Sequence, residues 1–299
     1  MKRLTNILIL TGALAIAAAP VFAQNYPPPP PYYGPQPQVS QQPPAFSPQQ
    51  LDGMVGRIAL YPDPLLAQVM TASTFWDQIA DADGWARAHN YLSGDGLARA
   101  IQEDGLPWDP SVISLLPFPT VLDMMAGDMG WTQQLGSAVL SNRAAVMDAV
   151  QHQRSIAMSY GYLAPNGQVR VISNGPGDIE IVPVDPGVVF VPYYDPYIVF
   201  ARPRPGFFIG GAITFGPRIF IGSFAPWGWG GIAFGWREHR IVVNNRPWER
   251  TWVNRQTYVH PYVAPRPQVN GRFTEHHELR QYSRPPAREQ ERGEGRERR

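Results

Sequence analysis

The chain of 299 residues contains no cysteine, and charged residues make up only 16% of it. Without cysteine there is no disulfide, no thiol to carry a lipid anchor and no nucleophilic thiol. The fold must therefore be held together by its hydrophobic core. Lysine is almost absent as well: Lys2 is the one lysine, so arginine supplies the rest of the positive charge.

The sequence also lacks the local motifs of common catalytic and nucleotide-binding sites. It contains no G-x-S-x-G serine elbow, no P-loop, no H-E-x-x-H zinc motif and no strand–G-x-G-x-x-G–helix arrangement. The six histidines are scattered, and the adjacent pair His276 and His277 lies in a polar stretch that is more typical of a solvated tail than of a metal site. The sequence therefore predicts no catalytic residue, no metal and no cofactor.

The N-terminus has the pattern of an export signal. The positive pair Lys2 and Arg3 precedes an apolar stretch over residues 4–19, and a proline and small residues follow it. The stretch is short for the ~30 Å hydrocarbon core of a membrane, which favours a cleavable signal over an anchor. We predict cleavage after Ala23 and a mature protein that is periplasmic or associated with the outer membrane.

Opposite charges are separated along the rest of the chain. Residues 48–164 hold 12 acids and five arginines, a balance of −7, whereas residues 165–299 hold 12 acids and 18 arginines, a balance of +6. This separation predicts contact between the two parts, or contact of the tail with an anionic surface. From Arg266 onward nine arginines are interleaved with six glutamates, which weakens the field of the tail and argues against nucleic acid as a partner.

Composition divides the mature chain into a linker followed by a helical module. Residues 24–47 are rich in proline and glutamine, which is typical of a polyproline or disordered spacer, or of a ligand for a proline-binding groove. In residues 48–163 apolar side chains recur at helical spacing, so we predict a bundle of six or seven helices. Ser47 and Gln50 are placed to form a capping box at its start.

The hydrophobic period then changes to two, which predicts a small antiparallel β unit over residues 164–245. The predicted fold class is therefore α+β, an N-terminal helical bundle followed by this β unit, with a disordered linker and an Arg-rich disordered tail at 246–299. Residues 206–236 contain nine glycines, three tryptophans and one charge. This Gly/Trp segment could form strands on the sheet, lie in a membrane interface or self-associate.

Paired carboxylates can hydrolyse glycosides, so the acids of the helical module are candidates for such a role. Asp77 and Asp81 lie four residues apart on a predicted helix face, and Asp123 and Asp128 flank a glycine-containing break. Asp77 and Asp81 face away from the apolar stripe, and solvent exposure explains them more simply. Helix caps and turns account for the four aspartates that stand directly before proline. These are Asp63, Asp109, Asp185 and Asp195.

Four strings in the chain resemble a known family. They are LDGMVGRIALYPDPLLAQVMTAST, WDPSVISLLPFPTVLDMM, MGWTQQLGSAVLSNRAAVMDAVQ and DPGVVFVPYYDPYIVF, and they occur in the family's order over about residues 50–201. The family consists of exported, mostly Gram-negative bacterial proteins and is known only as domain of unknown function number three thousand three hundred. The resemblance implies export and a single module, and it implies no activity, cofactor or catalytic residue.

Two hypotheses of function follow. The first is a non-enzymatic interaction or structural module that docks on a membrane surface or an envelope protein. Its candidate docking residues are Phe207, Phe208, Trp227, Trp229 and Trp236. The second is a periplasmic hydrolase that acts on wall or glycan material through the carboxylates of the helical module. The missing catalytic motifs favour the first hypothesis, and no small-molecule substrate can be identified from the sequence.

Overall fold

Several helices begin where a nearby side chain accepts one of their free N–H groups. The computed structural model describes residues 43–203 and 211–260. At the first helix Ser47 Oγ accepts the N–H of Gln50, and Gln50 Oε1 accepts the N–H of Ser47 at 2.8 Å, which confirms the predicted capping box. The helices of the module are α1 (Pro48–Val55), α2 (Asp63–Ser73), α3 (Trp76–Ala88), α4 (Gly94–Asp104), α5 (Pro110–Ile113), α6 (Pro119–Gly127) and α7 (Met129–Ser159).

The long helix α7 is the element against which α1, α2 and α6 pack. Gly136 permits the close approach of α2, because a Cβ there would lie 2.0 Å from the carbonyl oxygen of Ser73. The helix is interrupted at Asn142, which has a non-helical backbone at φ −153° and ψ 76°. The Asn142 side chain accepts the N–H of Ala145 at 3.1 Å and so caps the second half of the helix.

The chain after α7 forms short antiparallel ladders, which confirms the α+β class. One hairpin pairs β1 with β2, an interrupted ladder pairs β3 with β6 and β4 with β5, and a third sheet has the order β7-β8-β9. Their bounds are β1 (Val169–Ser173), β2 (Ile179–Pro183), β3 (Val188–Val189), β4 (Pro192–Tyr194), α8 (Pro196–Val199), β5 (Ile213–Phe215), β6 (Ile219–Phe220), a 3₁₀ helix (Gly222–Trp227), β7 (Ile232–Gly235), β8 (Arg240–Val243) and β9 (Arg246–Pro247).

The helical and β parts share one hydrophobic core. Val189, Trp229 and Trp236 belong to the same cluster of buried side chains as the helix residues Leu65 and Val150. The predicted helical module and β unit therefore pack against each other in this cluster. A second, smaller cluster joins the β1–β2 hairpin to the helices; it consists of Leu60, Ala157, Leu163, Val169, Ile179, Ile181 and Val199. The predicted signal peptide and most of the predicted linker lie outside the described residues. Within the described residues, no helix combines the length and the apolar character that crossing a membrane requires.

The predicted start of the disordered tail at residue 246 is wrong, because residues 246–260 pack onto the helices. Trp248 is fully buried in the core. Arg143, next to the break in α7, donates to the carbonyl oxygen of Trp248 at 3.0 Å, and the N–H of Trp252 donates to the carbonyl oxygen of Leu140 at 2.9 Å. Composition missed this contact, because the partners of the segment, the Arg143 side chain and the Leu140 carbonyl group, lie more than one hundred residues away in the sequence.

Replacing Trp248 with alanine is expected to lower the free energy of unfolding by about 3–5 kcal/mol, because it leaves a large cavity in the shared core. Urea denaturation followed by circular dichroism measures the change. The control is Val253→Ala in the same segment, whose side chain is 93% exposed and whose loss should stay within about 0.5 kcal/mol. Equal, small effects of both substitutions would mean that residues 246–260 do not belong to the fold.

Candidate functional site

A buried ion pair joins the helices to the β part. Arg154 of α7 is fully buried, and its guanidinium lies 2.7 Å from Asp63 Oδ1 at the start of α2. The same guanidinium donates to the carbonyl oxygens of Ala59 at 2.8 Å, Tyr61 at 3.0 Å and Ile179 at 2.7 Å. Each nitrogen of the group has a partner inside the protein, so the cation is held without access to solvent.

The carboxylate of Asp63 is satisfied in the same way. Its Oδ1 accepts the N–H of Ile181 at 3.3 Å, and its Oδ2 accepts the indole N–H of Trp236 at 2.9 Å. The Trp236 ring also lies 4.9 Å from the guanidinium carbon of Arg154, within the range of a cation–π contact. These contacts explain why the ion pair is stable, and they leave neither charge available for chemistry.

The outer edge of β2 is covered by side chains of α7. The N–H of Ile179 donates to Gln151 Oε1 at 2.8 Å, and Gln151 Nε2 donates back to the carbonyl oxygen of Ile179 at 3.1 Å. Arg154 reaches the same carbonyl oxygen, and Asp63 accepts from Ile181 two residues further along. An amide, a guanidinium and a carboxylate thus take the place of a neighbouring strand.

The aspartates before proline fulfil the predicted cap and turn roles with one exception. Asp109 accepts the N–H of Ser111 at 2.9 Å, Asp195 accepts that of Tyr197 at 2.8 Å, and Asp185 accepts that of Gly187 at 2.9 Å in a turn. Asp63 was expected to cap α2 and does not, because its carboxylate points to Arg154 instead. The helical spacing of α7 could have indicated that Arg154 is buried, since it lies four residues after Val150 on the buried face of the helix.

The tryptophans predicted as docking residues are turned largely inward. The indole N–H of Trp229 donates to the carbonyl oxygen of Ser114 at 2.8 Å, and its ring stacks on Phe118 with centroids 4.9 Å apart. Trp236 belongs to the contacts of the ion pair, and Trp227 is half-buried. Both Trp229 and Trp236 are buried, so neither ring is presented to a partner in this conformation.

The remaining predicted docking residues, Phe207 and Phe208, lie outside the described residues. The described part of the Gly/Trp segment forms β5, β6, the 3₁₀ helix and β7, which corresponds to the first of its three interpretations. Sequence composition could not distinguish the three interpretations, because the carbonyl oxygen that accepts the indole N–H of Trp229 belongs to a distant part of the chain.

The candidate catalytic carboxylates do not act as a pair. Asp77 and Asp81 are exposed on α3, as the apolar stripe predicted, and Asp123 of α6 forms an ion pair with Arg87. Asp128 accepts the N–H of Trp131 at 3.0 Å and also lies 2.9 Å from Arg57. The hydrogen bond from Trp131, followed by that from Arg57, lowers the pKa of Asp128 below its ordinary value, whereas a general acid needs a raised pKa.

A buried polar cluster brings together a serine, an aspartate and a histidine, but not as a catalytic triad. Ser111 Oγ donates to Asp109 Oδ1 at 2.6 Å, so its hydrogen bond goes to the carboxylate and not to His260. Burial raises the pKa of Asp109 and lowers that of His260. The cavity beside Ser111 and His260 measures about 10 Å³, room for one water molecule and not for a substrate.

No metal centre is formed within the described ranges, where no group of three histidine, cysteine, aspartate or glutamate side chains converges. The histidines are instead engaged pairwise: a ring nitrogen of His152 lies 2.9 Å from Asp52, and one of His239 lies 2.8 Å from Asp148. Each pair ties α7 to another element, so these side chains have structural contacts.

The candidate functional site is an apolar cleft between the chain after α7 and the β ladders. Its volume is about 440 Å³, and none of its described lining residues carries a charge. The amide side chain among them, Asn166, is occupied in a turn, where it accepts the N–H groups of Gln168 at 2.8 Å and Val169 at 3.0 Å. The principal apolar lining residues are Leu60, Leu163, Val169, Ile181, Ile213 and Phe215.

The fold and the cleft define an α+β module that is organised around a buried ion pair and presents an uncharged concave surface. Residues 47–276 match the family described as protein of unknown function, DUF3300, so the chain belongs to this family. The match confirms the resemblance and extends it beyond residues 50–201. It includes the Gly/Trp segment and the packed residues 246–260, which the shared core makes part of the same structural unit.

A curated relative is similar to part of the chain. The uncharacterized protein YacH of Escherichia coli (strain K12) is 40% identical over 129 residues, which is 43% of this chain and 21% of YacH. The chain thus spans about a fifth of the length of the relative that it matches. No solved structure is significantly similar to the chain.

Breaking the buried ion pair is expected to be costly. Asp63→Asn and Arg154→Met should each lower the free energy of unfolding by about 3–5 kcal/mol, because each leaves a buried polar partner uncompensated. The surface pair Asp185 and Arg218, whose side chains are about half exposed, provides the control, and Arg218→Met should cost at most about 1 kcal/mol. Urea denaturation of the three variants is the measurement, and similar losses in all three would contradict the role of the pair.

Proposed function

We propose that the chain is exported, cleaved after Ala23, and works in the cell envelope as a non-enzymatic binding module. The positive pair before an apolar stretch supports export. The lining of the cleft supports binding, because its described lining residues carry no charge. Elsewhere, Arg57 and Asp128 line a separate depression but are paired with each other, and Asp123 is paired with Arg87. That uncharged cleft is the observation that carries the proposal.

The partner that suits the cleft is an extended apolar segment of an envelope protein. A cleft of about 440 Å³ accommodates a few side chains of such a segment and buries them against Ile213 and Phe215, which are both partly exposed. A membrane surface is a poorer match, because a bilayer cannot fill a concave site and the rings of Trp229 and Trp236 are buried. No observation favours hydrolysis by Asp77, Asp81 or the other candidate acids.

Export is tested by the mass of the protein in the periplasmic extract of a Gram-negative host that expresses the full chain. We expect a first residue of Gln24. Ala23→Phe should leave the precursor uncleaved, because the signal peptidase accepts only small residues there, whereas Ala23→Ser should be processed normally. A protein that keeps residue 1 in the periplasmic fraction, or that stays in the cytoplasm, would disprove the predicted signal.

Binding in the cleft is tested by a photoreactive phenylalanine at Ala164, an exposed residue on its rim. We expect a cross-linked adduct in cells, and at least about a tenfold loss of adduct with Phe215→Asp, because a carboxylate in the cleft costs about 1–3 kcal/mol. The matched control carries the photoreactive residue at Gln102, exposed on α4. Equal labelling at both positions, or an adduct unaffected by Phe215→Asp in a folded variant, would refute the site.

A further inference from the structure

One outward stripe of α3 combines carboxylates with aromatic rings. Asp77, Asp81, Trp85 and His89 follow one another at intervals of four residues, so they lie along one ridge of the helix. Asp77 and Asp81 are exposed, whereas other positions of α3, such as Ile79, are buried in the core. This ridge is separate from the apolar cleft, and the inference from it does not depend on the proposed function.

The aromatic end of the ridge is a fixed stack of rings. The rings of Trp85 and His89 lie parallel with centroids 3.9 Å apart, and Tyr91 continues the stack at 6.2 Å from His89. The indole N–H of Trp85 donates to Asp104 Oδ2 at 2.7 Å, and 45% of that carboxylate side chain remains exposed. Tyr91 is 75% exposed, so the last ring of the stack presents its surface to solvent, and the Asp104 carboxylate lies at the other two rings, hydrogen-bonded to Trp85 and 4.0 Å from His89.

Arginine is the side chain that suits such a surface. A guanidinium stacks on an aromatic face and forms paired hydrogen bonds with a carboxylate, and the ridge offers both kinds of partner. Within residues 43–203 and 211–260, none of the cation–ring contacts involves Trp85 or Tyr91. The nearby Arg87 is engaged by Asp83 and Asp123. Arg250 interacts electrostatically with Asp77, but its guanidinium lies over the ring of Phe75. A ligand that stacks on Trp85 or Tyr91 must therefore bring its own arginines.

We propose that the ridge binds the arginine-rich segment 266–288 of the same chain. This segment contains five arginines and two glutamates, a balance of +3, opposite in sign to the net charge of −7 of residues 48–164. Complementary charge and the aromatic stack thus select the same partner. The segment also contains Phe273 and Tyr282, which can add ring contacts to those of its arginines.

The place where the described chain ends supports binding within one molecule. His260 lines the same small cavity as Ser111 and is electrostatically coupled to Asp109, which follows Asp104 by five residues. A random coil of 28 residues, the number that separates position 288 from His260, has a root-mean-square span of roughly 30 Å. A short tether of this kind gives an effective concentration in the millimolar range, so even weak contacts between arginines and the ridge suffice.

The absence of cysteine makes the test direct. Cysteines introduced at Ala80, exposed on α3, and at Ser283 in the tail carry spin labels in the otherwise unchanged mature chain, and pulsed electron spin resonance gives their distance distribution. We expect a narrow short-distance population at low salt. Three changes should each broaden this population into the distance distribution of an unbound tail. They are the double substitution Asp77→Asn with Asp81→Asn, the substitution Tyr91→Ala, and about 1 M salt, where the screening length falls to about 3 Å.

Two matched controls separate binding to the ridge from general effects of charge and ring loss. Asp185→Asn with Glu238→Gln removes two exposed acids elsewhere, and Tyr197→Ala removes a tyrosine that is 90% exposed, so both should leave the short distances unchanged. A broad distribution in the parent chain would overturn the proposal. So would short distances that vanish on dilution with unlabelled protein, because the contact would then join two copies. The measurement at high salt uses the same labelled chain with no further substitution, so misfolding of a ridge variant cannot imitate its result.

Discussion

The buried ion pair of Asp63 and Arg154 is the contact on which the rest of the structure depends. Taking two charges out of water costs several kcal/mol for each ion, so the pair is stable only where every hydrogen-bonding position is filled. The partners come from separate parts of the chain: Ala59 and Tyr61 before α2, and Ile179 in β2. If any of these segments were placed differently, one of the buried charges would lose hydrogen-bond partners. The pair therefore favours one arrangement of helices and strands.

The same pair explains why the β part is not a domain of its own. A two-stranded hairpin is marginally stable by itself, and its edge invites pairing with other chains. Here the edge of β2 is closed by Gln151 and Arg154 of α7 and by Asp63 of α2. Because the side chains that complete the hairpin belong to helices, the hairpin and the helical module are expected to unfold together.

The features that could be predicted from sequence are those whose partners lie within a few residues. The Ser47 capping box and the cap at Asp109 follow from a short string, since donor and acceptor are three or fewer residues apart. The contacts that escaped prediction span the chain: 173 residues separate Asp63 from Trp236, and 115 separate Trp229 from Ser114. The sequence shows that each of these tryptophans has an apolar ring with one N–H donor. Only the fold shows which distant group accepts the hydrogen bond from that N–H.

The distribution of charge also decides what kind of site the module can offer. Catalysis by carboxylates needs two groups whose surroundings push their pKa values apart inside a pocket that excludes water. In this protein the buried pair of Asp63 and Arg154 is saturated by backbone and indole groups, and the exposed acids Asp77 and Asp81 stand on an open helix face. The described residues that line the apolar cleft carry no charge, and the charges at the separate depression beside α1, Arg57 and Asp128, are already paired with each other.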